Sequence, residues 1–299
     1  MYFYLGPRQR AQVAAREPKI LTRIVEVVEA AGWQVVLLPE EGRHAAPSMD
    51  GYHMVLNHPV PRPVPGQVPV FLSVRPCYFE PFWRIDKVND RWAWDPTGLE
   101  FDARDVRAPY VQQFYARWRG TLVGDGPISR QGFVFVPLQD QVLRHRQFQS
   151  MSPMAMLDTL LAMDTRPVVA TLHPNVNYPP DELAALQSLA AQNPRFTLSS
   201  QPSIDLLRQC DLLVTQHSSM ALTGYFAAKP AVLFAMADFH HIAGSVPRDG
   251  VAEAFAGRPA NVSYAAYLYW FFKMHAITVW SDDVHTQVAA RLRQLGWPV

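Results

Sequence analysis

Three short polar groups in the second half of the chain have the residue types that do chemistry: Gln139-Asp140-Gln141, His173-Pro174 and Gln216-His217-Ser218-Ser219. Each follows an apolar run: FVFVPL at 133–138, VVATL at 168–172 and LLVT at 212–215. A carboxylate such as Asp140 can attack or stabilise a carbon that is losing its leaving group. An imidazole and two hydroxyls can donate to a phosphate, and Ser218-Ser219 would open a helix whose free N–H groups favour an anion. Singly, each group has a plainer reading. A histidine after a strand is commonly structural, and a serine pair suits a helix N-cap. Jointly they point to one rim of one sheet, the usual place for a site. Arg144, His145 and Arg146 follow Asp140 and could hold a ligand carboxylate, or form a solvated basic loop. In the first half, Glu80, Arg84 and Asp86 lie among Tyr78, Phe79, Phe82 and Trp83. Glu80 or Asp86 could act as general base beside rings on which a sugar stacks. The alternative is an interior with an Arg84–Asp86 ion pair.

The elements that must position these residues alternate along the chain. Residues 2–5 read as a strand ending at Gly6. Residues 18–31 place Ile20, Ile24, Val27 and Val28 on one helical face. Residues 33–38, 53–56 and 70–74 read as further strands, and 58–69 as a proline-rich loop. After the aromatic stretch a helix is expected at 108–119. The second half predicts strands at 133–138, 168–172, 196–198, 212–215 and 230–234. Helices at 153–163, 180–192, 203–209 and 219–228 separate them. Non-alternating strands between helices predict parallel sheets covered on both faces. The expected fold is therefore α/β, with two Rossmann-like domains facing a cleft. The expected boundaries are 1–126 for the first domain, 127–260 for the second, and 261–299 as helices crossing back to the first domain; the resemblance described below implies that the first is the acceptor-side domain and the second the nucleotide-sugar-binding one.

Composition narrows the partners. The 299 residues hold 27 Lys+Arg against 26 Asp+Glu, so nothing in the charge favours nucleic acid or an anionic membrane. A hydrophobic share of 49 % excludes disorder. Two distant cysteines, Cys77 and Cys210, match no metal spacing. No signal peptide or membrane-spanning run is read, so the expected location is cytoplasmic, and any attachment to the inner membrane would be peripheral. Neither GxGxxG nor GxxxxGK[ST] occurs around the serine pair, which disfavours a dinucleotide or a P-loop nucleotide. An activated sugar with one or two phosphates fits better.

FVFVPLQDQ, LHPN and SIDLLRQCDLLVTQHSSMALTGYFAAKPAVLF, with Gln201-Pro202 before the last, resemble the bacterial capsule polysaccharide biosynthesis family. That family includes β-Kdo transferases and is similar to CMP-sugar-dependent GT-B glycosyltransferases. The resemblance covers about 131–240 and implies the donor nucleotide on the second domain. It implies that His173, Pro174, Ser218 and Ser219 contact the CMP phosphate and that Asp140 acts on the sugar. Gln139, Arg144, Arg84, Gln201 and Gln216 are the expected substrate contacts, with Glu80 and Asp86 as acceptor-side acids. The expected function is transfer of an acidic sugar such as Kdo from CMP-Kdo to a glycan or glycolipid, with no metal and no cofactor. A basic loop (LRHRQ) stands where many members are acidic. The alternatives are an NDP-sugar transferase or a non-catalytic sugar- or nucleotide-binding subunit of a polysaccharide assembly complex.

Overall fold

A computed structural model describes residues 1–44, 50–107, 109–257 and 261–299. The chain begins with β1 (Tyr2–Leu5), α1 (Pro7–Ala14), α2 (Ile20–Ala30), β2 (Val36–Pro39), β3 (His53–Leu56), β4 (Phe71–Pro76) and β5 (Phe82–Asp86). It continues with α3 (Val111–Leu122), β6 (Val134–Pro137), α4 (Pro153–Met163), β7 (Val168–Thr171), α5 (Pro180–Gln192) and β8 (Phe196–Leu198). Then come α6 (Ser203–Gln209), β9 (Leu212–Thr215), α7 (Met220–Phe226), β10 (Ala231–Leu233), β11 (Gly244–Ser245), α8 (Val246–Ala256) and α9 (Tyr264–Tyr269). A π-helical turn, Trp270–Met274, leads to β12 (Ile277–Thr278) and α10 (Val284–Gln294). Two units result: Met1–Leu99 with Trp270–Val299, and Glu100–Tyr269.

The first unit holds a six-stranded sheet in the order β12-β5-β4-β3-β1-β2. β2, β1, β3 and β4 run parallel, whereas β5 is antiparallel to both its neighbours. The wholly parallel sheet expected here is thus corrected. Five residues, Cys77–Pro81, join β4 to β5, too few for the crossover that parallel pairing needs. α2 buries Ile20, Ile24, Val27 and Val28, the expected face, against Phe3, Leu5 and Met54 of the sheet and Val288 and Leu292 of α10. The order 2-1-3-4 puts a topological switch point between β1 and β3.

The second unit has the order β11-β10-β9-β6-β7-β8, with every pair parallel. Counted from β6 this is 3-2-1-4-5-6, the order of a dinucleotide-binding sheet, and its switch point lies between β6 and β9. All five expected strands are present. β11 escapes periodicity because it is two residues long. A Cβ on its Gly244 would lie 1.9 Å from the Ala254 carbonyl oxygen of α8, so only glycine fits.

The division differs from the expected boundaries at 126/127 and 260/261. α3 belongs to the second unit because Phe114 packs against Phe226 and Tyr269, and the Tyr115 hydroxyl donates to the Phe226 carbonyl at 2.9 Å. α9 stays with that unit. From Trp270 onward the chain belongs to the first, where it adds a strand and not only helices. Among the described residues no helix is long and apolar enough to cross a membrane.

Candidate functional site

The carboxyl ends of β6 and β9 bring together Gln139, Asp140 and Gln216. Asp140 is partly exposed. It pairs with Arg146 (Nη1 to Oδ1, 3.2 Å) and accepts from Gln141 Nε2 at 3.3 Å. Gln141 adopts a left-handed backbone, φ 57°, a conformation that collects at functional sites. The Arg146 guanidinium lies 4.9 Å from the centre of the Phe148 ring, and that ring lies 4.6 Å from the His217 ring. These contacts tie the loop after β6 to the loop after β9. Tyr178, on the loop after β7, accepts from the His173 backbone N–H at 3.0 Å. Burial first, and then the Asp140 charge, hold the Tyr178 hydroxyl above its ordinary pKa despite the His173 bond. The His173 loop and Asp140 therefore share one neighbourhood.

The polar atoms left over here mark the site. Gln139 Oε1, Gln141 Oε1, Gln216 Oε1, Gln149 Nε2, and Arg146 Nε and Nη2 are buried without a hydrogen-bond partner among the described residues. Each such atom costs about 1–3 kcal/mol, and native proteins tolerate few of them. Three amide orientations are fixed by their other ends. Gln216 Nε2 donates to the Met151 carbonyl (3.2 Å), Gln149 Oε1 accepts from Arg146 N (2.8 Å), and Gln141 Nε2 binds Asp140. Gln216 is only 2 % exposed and Gln149 6 %. The remaining set is three amide oxygens, one amide nitrogen and the Nε–Nη2 edge of Arg146, the edge that grips a carboxylate bidentately.

The phosphate candidates fall on the same edge of the sheet. His173 is exposed, and its Nδ1 accepts from Asn175 N at 3.2 Å, so Nε2 carries the proton and is a donor. Pro174 is exposed beside it. Ser218 Oγ accepts from Met220 N (3.3 Å), whereas the Ser219 side chain caps nothing. The double cap expected from sequence is thus reduced to one serine. α7 has seven residues, so the helix-end contribution to anion binding is small. Gln201 is exposed, and its N–H bonds Ser199 Oγ (3.1 Å). Two residues on, Ser203 Oγ meets Thr171 Oγ1 (2.9 Å) at the end of β7.

Two expectations are corrected, Asp86 and Arg84, which are buried in the first unit, whereas Arg144 and Glu80 are exposed. Arg144 is exposed, and its N–H donates to the Gln141 carbonyl; the Asp140 partner is Arg146. Asp86 is 1 % exposed and holds Arg291 (2.9 Å) and the Lys87 N–H (2.8 Å). β5 runs backwards, so Asp86 ends opposite the rim where the parallel strands finish. Arg84 is buried with its guanidinium 4.4 Å from the Phe271 ring and 5.1 Å from the Trp94 ring, and Nη2 donates to the Phe271 carbonyl. Glu80 is exposed in the β4–β5 turn, where it accepts from Trp83 Nε1 at 3.0 Å. Phe79 and Phe82 pack on Phe272 and offer no sugar platform.

A cavity of about 620 Å³ opens in the first unit near β5, β12 and α10. It lies away from the switch point of that unit's sheet. Asp86, Asp95 and Arg291 bond one another, and Lys273 bonds Thr278, which makes it a less chemical place than the β6–β9 rim. Among the described residues no cluster of His, Cys, Asp or Glu has the makings of a metal site. Sequence reasoning passed over Tyr178, Phe148 and Gln149, which carry no motif. It also passed over His58, whose Nε2 bonds the Glu40 carboxylate. His58-Pro59 stands two residues past β3, as His173-Pro174 stands two past β7, and that repetition was the available signal.

No protein-family model matches the chain, and no curated protein matches its sequence. Solved structures do. Thermosulfurimonas dismutans KpsC, beta Kdo 2,7 transferase, superposes with a TM-score of 0.57 at 13 % identity over 99 % of both chains. KpsC, beta Kdo 2,4 transferase, of the same organism gives 0.43 at 11 % identity over 89 % of this chain and 88 % of that one. The wall teichoic acid polymerase TagF gives 0.28 at 12 % identity over 64 % and 50 %. The first likeness, with the two sheets described above, shows that this chain has the fold of the KpsC beta Kdo 2,7 transferase, two Rossmann-like α/β units of the GT-B type.

Proposed function

We propose that the chain is a glycosyltransferase of bacterial surface-polysaccharide synthesis. It transfers an acidic sugar from a CMP-activated donor such as CMP-Kdo to a glycan or glycolipid. The observation that carries this reading is the set of unsatisfied polar atoms around the Asp140–Arg146 pair at the β6–β9 switch point. A polar, carboxylated ligand would satisfy them, and the fold likeness to a Kdo transferase supports the choice.

In this reading the Arg146 Nε–Nη2 edge takes the sugar carboxylate while Nη1 keeps Asp140 in place. The His173 Nε2–H and the Ser218 and Ser219 hydroxyls take the phosphate. The bond from the anomeric carbon to the phosphate oxygen breaks, and its electron pair leaves with CMP. The Asp140 carboxylate, held by Arg146, attacks or stabilises the electron-poor carbon. A monophosphate leaving group needs no metal when donors are already placed, so turnover in EDTA should be undiminished. Thermal shifts with CMP, UDP, GDP and ADP test the donor, and release of CMP from CMP-Kdo tests the enzyme. A shift with UDP or GDP but not CMP would overturn the donor. Binding without turnover would leave a sugar- or nucleotide-binding subunit instead.

A further inference from the structure

We propose that the cavity near β5, β12 and α10 is a carbohydrate-binding site that takes one residue of an acidic glycan; only the choice of an acidic sugar rests on the transferase reading above. The cavity lies wholly in the first unit, with walls from β5, the segment 95–99, the turn 273–277 and residues 283–294. Its volume, about 620 Å³, falls among those of small-molecule sites, roughly 300–1,000 Å³. β5 runs against the parallel strands, so the cavity opens at the edge of the sheet where those strands begin. It is therefore a place that holds a glycan, and the carboxyl-end edge of the same sheet stays free of it.

Most of the charge in the walls is already matched. Arg291 donates from Nε to the Ile85 carbonyl, from Nη1 to Asp95 and Gln294, and from Nη2 to Asp86. Asp283 accepts from Ser281 and Gln287. Three groups are left over. Lys273 Nζ donates to Thr278 Oγ1 at 3.1 Å and pairs with no carboxylate among the described residues. Burial lowers its pKa against the pull of Asp283, so the ammonium is short of water and of a counterion. Burial, with the Arg84 and Arg291 charges, pushes His275 down to about 4, so its imidazole is neutral and offers both a donor and an acceptor. Gln294 Oε1 is taken by Arg291, which leaves its amide N–H groups to donate. Trp83, Pro96 and Ile277 make the wall apolar, with Leu99 and Met274 nearly half-exposed beside them. These groups complement a sugar acid: its carboxylate meets Lys273, its hydroxyls His275 and Gln294, and its C–H face the apolar wall. A bare anion would leave that wall uncovered, and a neutral sugar would leave Lys273 unmatched.

The test titrates the full chain, at saturating CMP, with a Kdo trisaccharide, by calorimetry and by histidine-ring NMR. The trisaccharide should bind and move the His275 ring resonances. Lys273→Met keeps the stem, removes the charge and should weaken binding about tenfold or more. Ala290→Trp, on the exposed side of α10, should fill the cavity and weaken binding as much, with an unaltered melting temperature. Maltotriose should bind about tenfold more weakly than the acidic trisaccharide, and inorganic phosphate should not displace it. Affinity within about twofold of wild type in both variants, or unmoved His275 resonances, overturns the inference and leaves the transferase reading standing. Displacement by phosphate makes this a bare anion site and overturns the carbohydrate assignment. The expected binding in a chain that releases no CMP from CMP-Kdo upholds the site and overturns the transferase reading.

Discussion

Asp140→Asn separates chemistry from architecture. Asparagine keeps the side-chain shape and can still accept from Arg146, but the charge is gone. The stability at stake is small. Asp140 is 44 % exposed on its side chain and the pair spans 3.2 Å, a geometry worth about 0.2–1 kcal/mol. In a unit spanning Glu100–Tyr269, 1 kcal/mol moves the melting temperature by about 2–4 °C. The catalytic stake is far larger. Loss of a nucleophile or charge stabiliser costs roughly 10⁴-fold or more in kcat, about 5.5 kcal/mol of barrier at 1.36 kcal/mol per decade. The assay is CMP release from CMP-Kdo at saturating donor, with calorimetric CMP affinity and a melting curve on the same sample. Turnover should collapse while affinity and melting hold. Turnover within tenfold of wild type, in a variant that melts normally, would refute a role for Asp140 in the chemistry.

His173→Ala should leave the apo protein's melting unchanged but weaken stabilisation by CMP, which at 100 times its dissociation constant is about 2.7 kcal/mol in the wild type; an undiminished CMP shift would remove His173 from the phosphate site. Burial pushes the Asp86 carboxyl up to about 6 from 3.8, against the pull of Arg291 and with Asp95 adding to the rise. Between those values the folded chain holds a proton that the unfolded chain has lost. This contribution is full below 3.8 and is lost as pH rises through 6, about 3 kcal/mol over that interval. Asp86→Asn should flatten that part of the urea-midpoint profile, and identical profiles would refute the assignment. Gly244→Ala should destabilise by about 3 kcal/mol or more, since its Cβ meets a backbone carbonyl. Gly120→Ala, in open space on α3, should be neutral or slightly stabilising by denaturant titration, and equal effects of the two would show that the close approach at Gly244 is unimportant.

The amino-acid sequence by itself determined what is written in neighbours a few residues apart. Short apolar runs bounded by glycine and proline specified β1, β3 and the five strands β6–β10, and a 3.6-residue repeat specified the buried face of α2. Order along the chain was then enough to place Asp140, His173 and Gln216 at strand ends, because a parallel sheet collects those ends on one edge. Tertiary structure decided every pairing between distant residues. Asp86 finds Arg291 across 205 positions, and nothing local marks either residue for the other. Asp140 takes Arg146 over Arg144 because the turn pinned by Gln141 and Gln149 brings only one of them back. Glu40 reaches His58 because β1 comes to lie between β2 and β3. Periodicity reports which face of an element is apolar; charge partners, strand direction after a five-residue turn, and unmet hydrogen bonds depend on which elements become neighbours, and that exists only once the chain has packed.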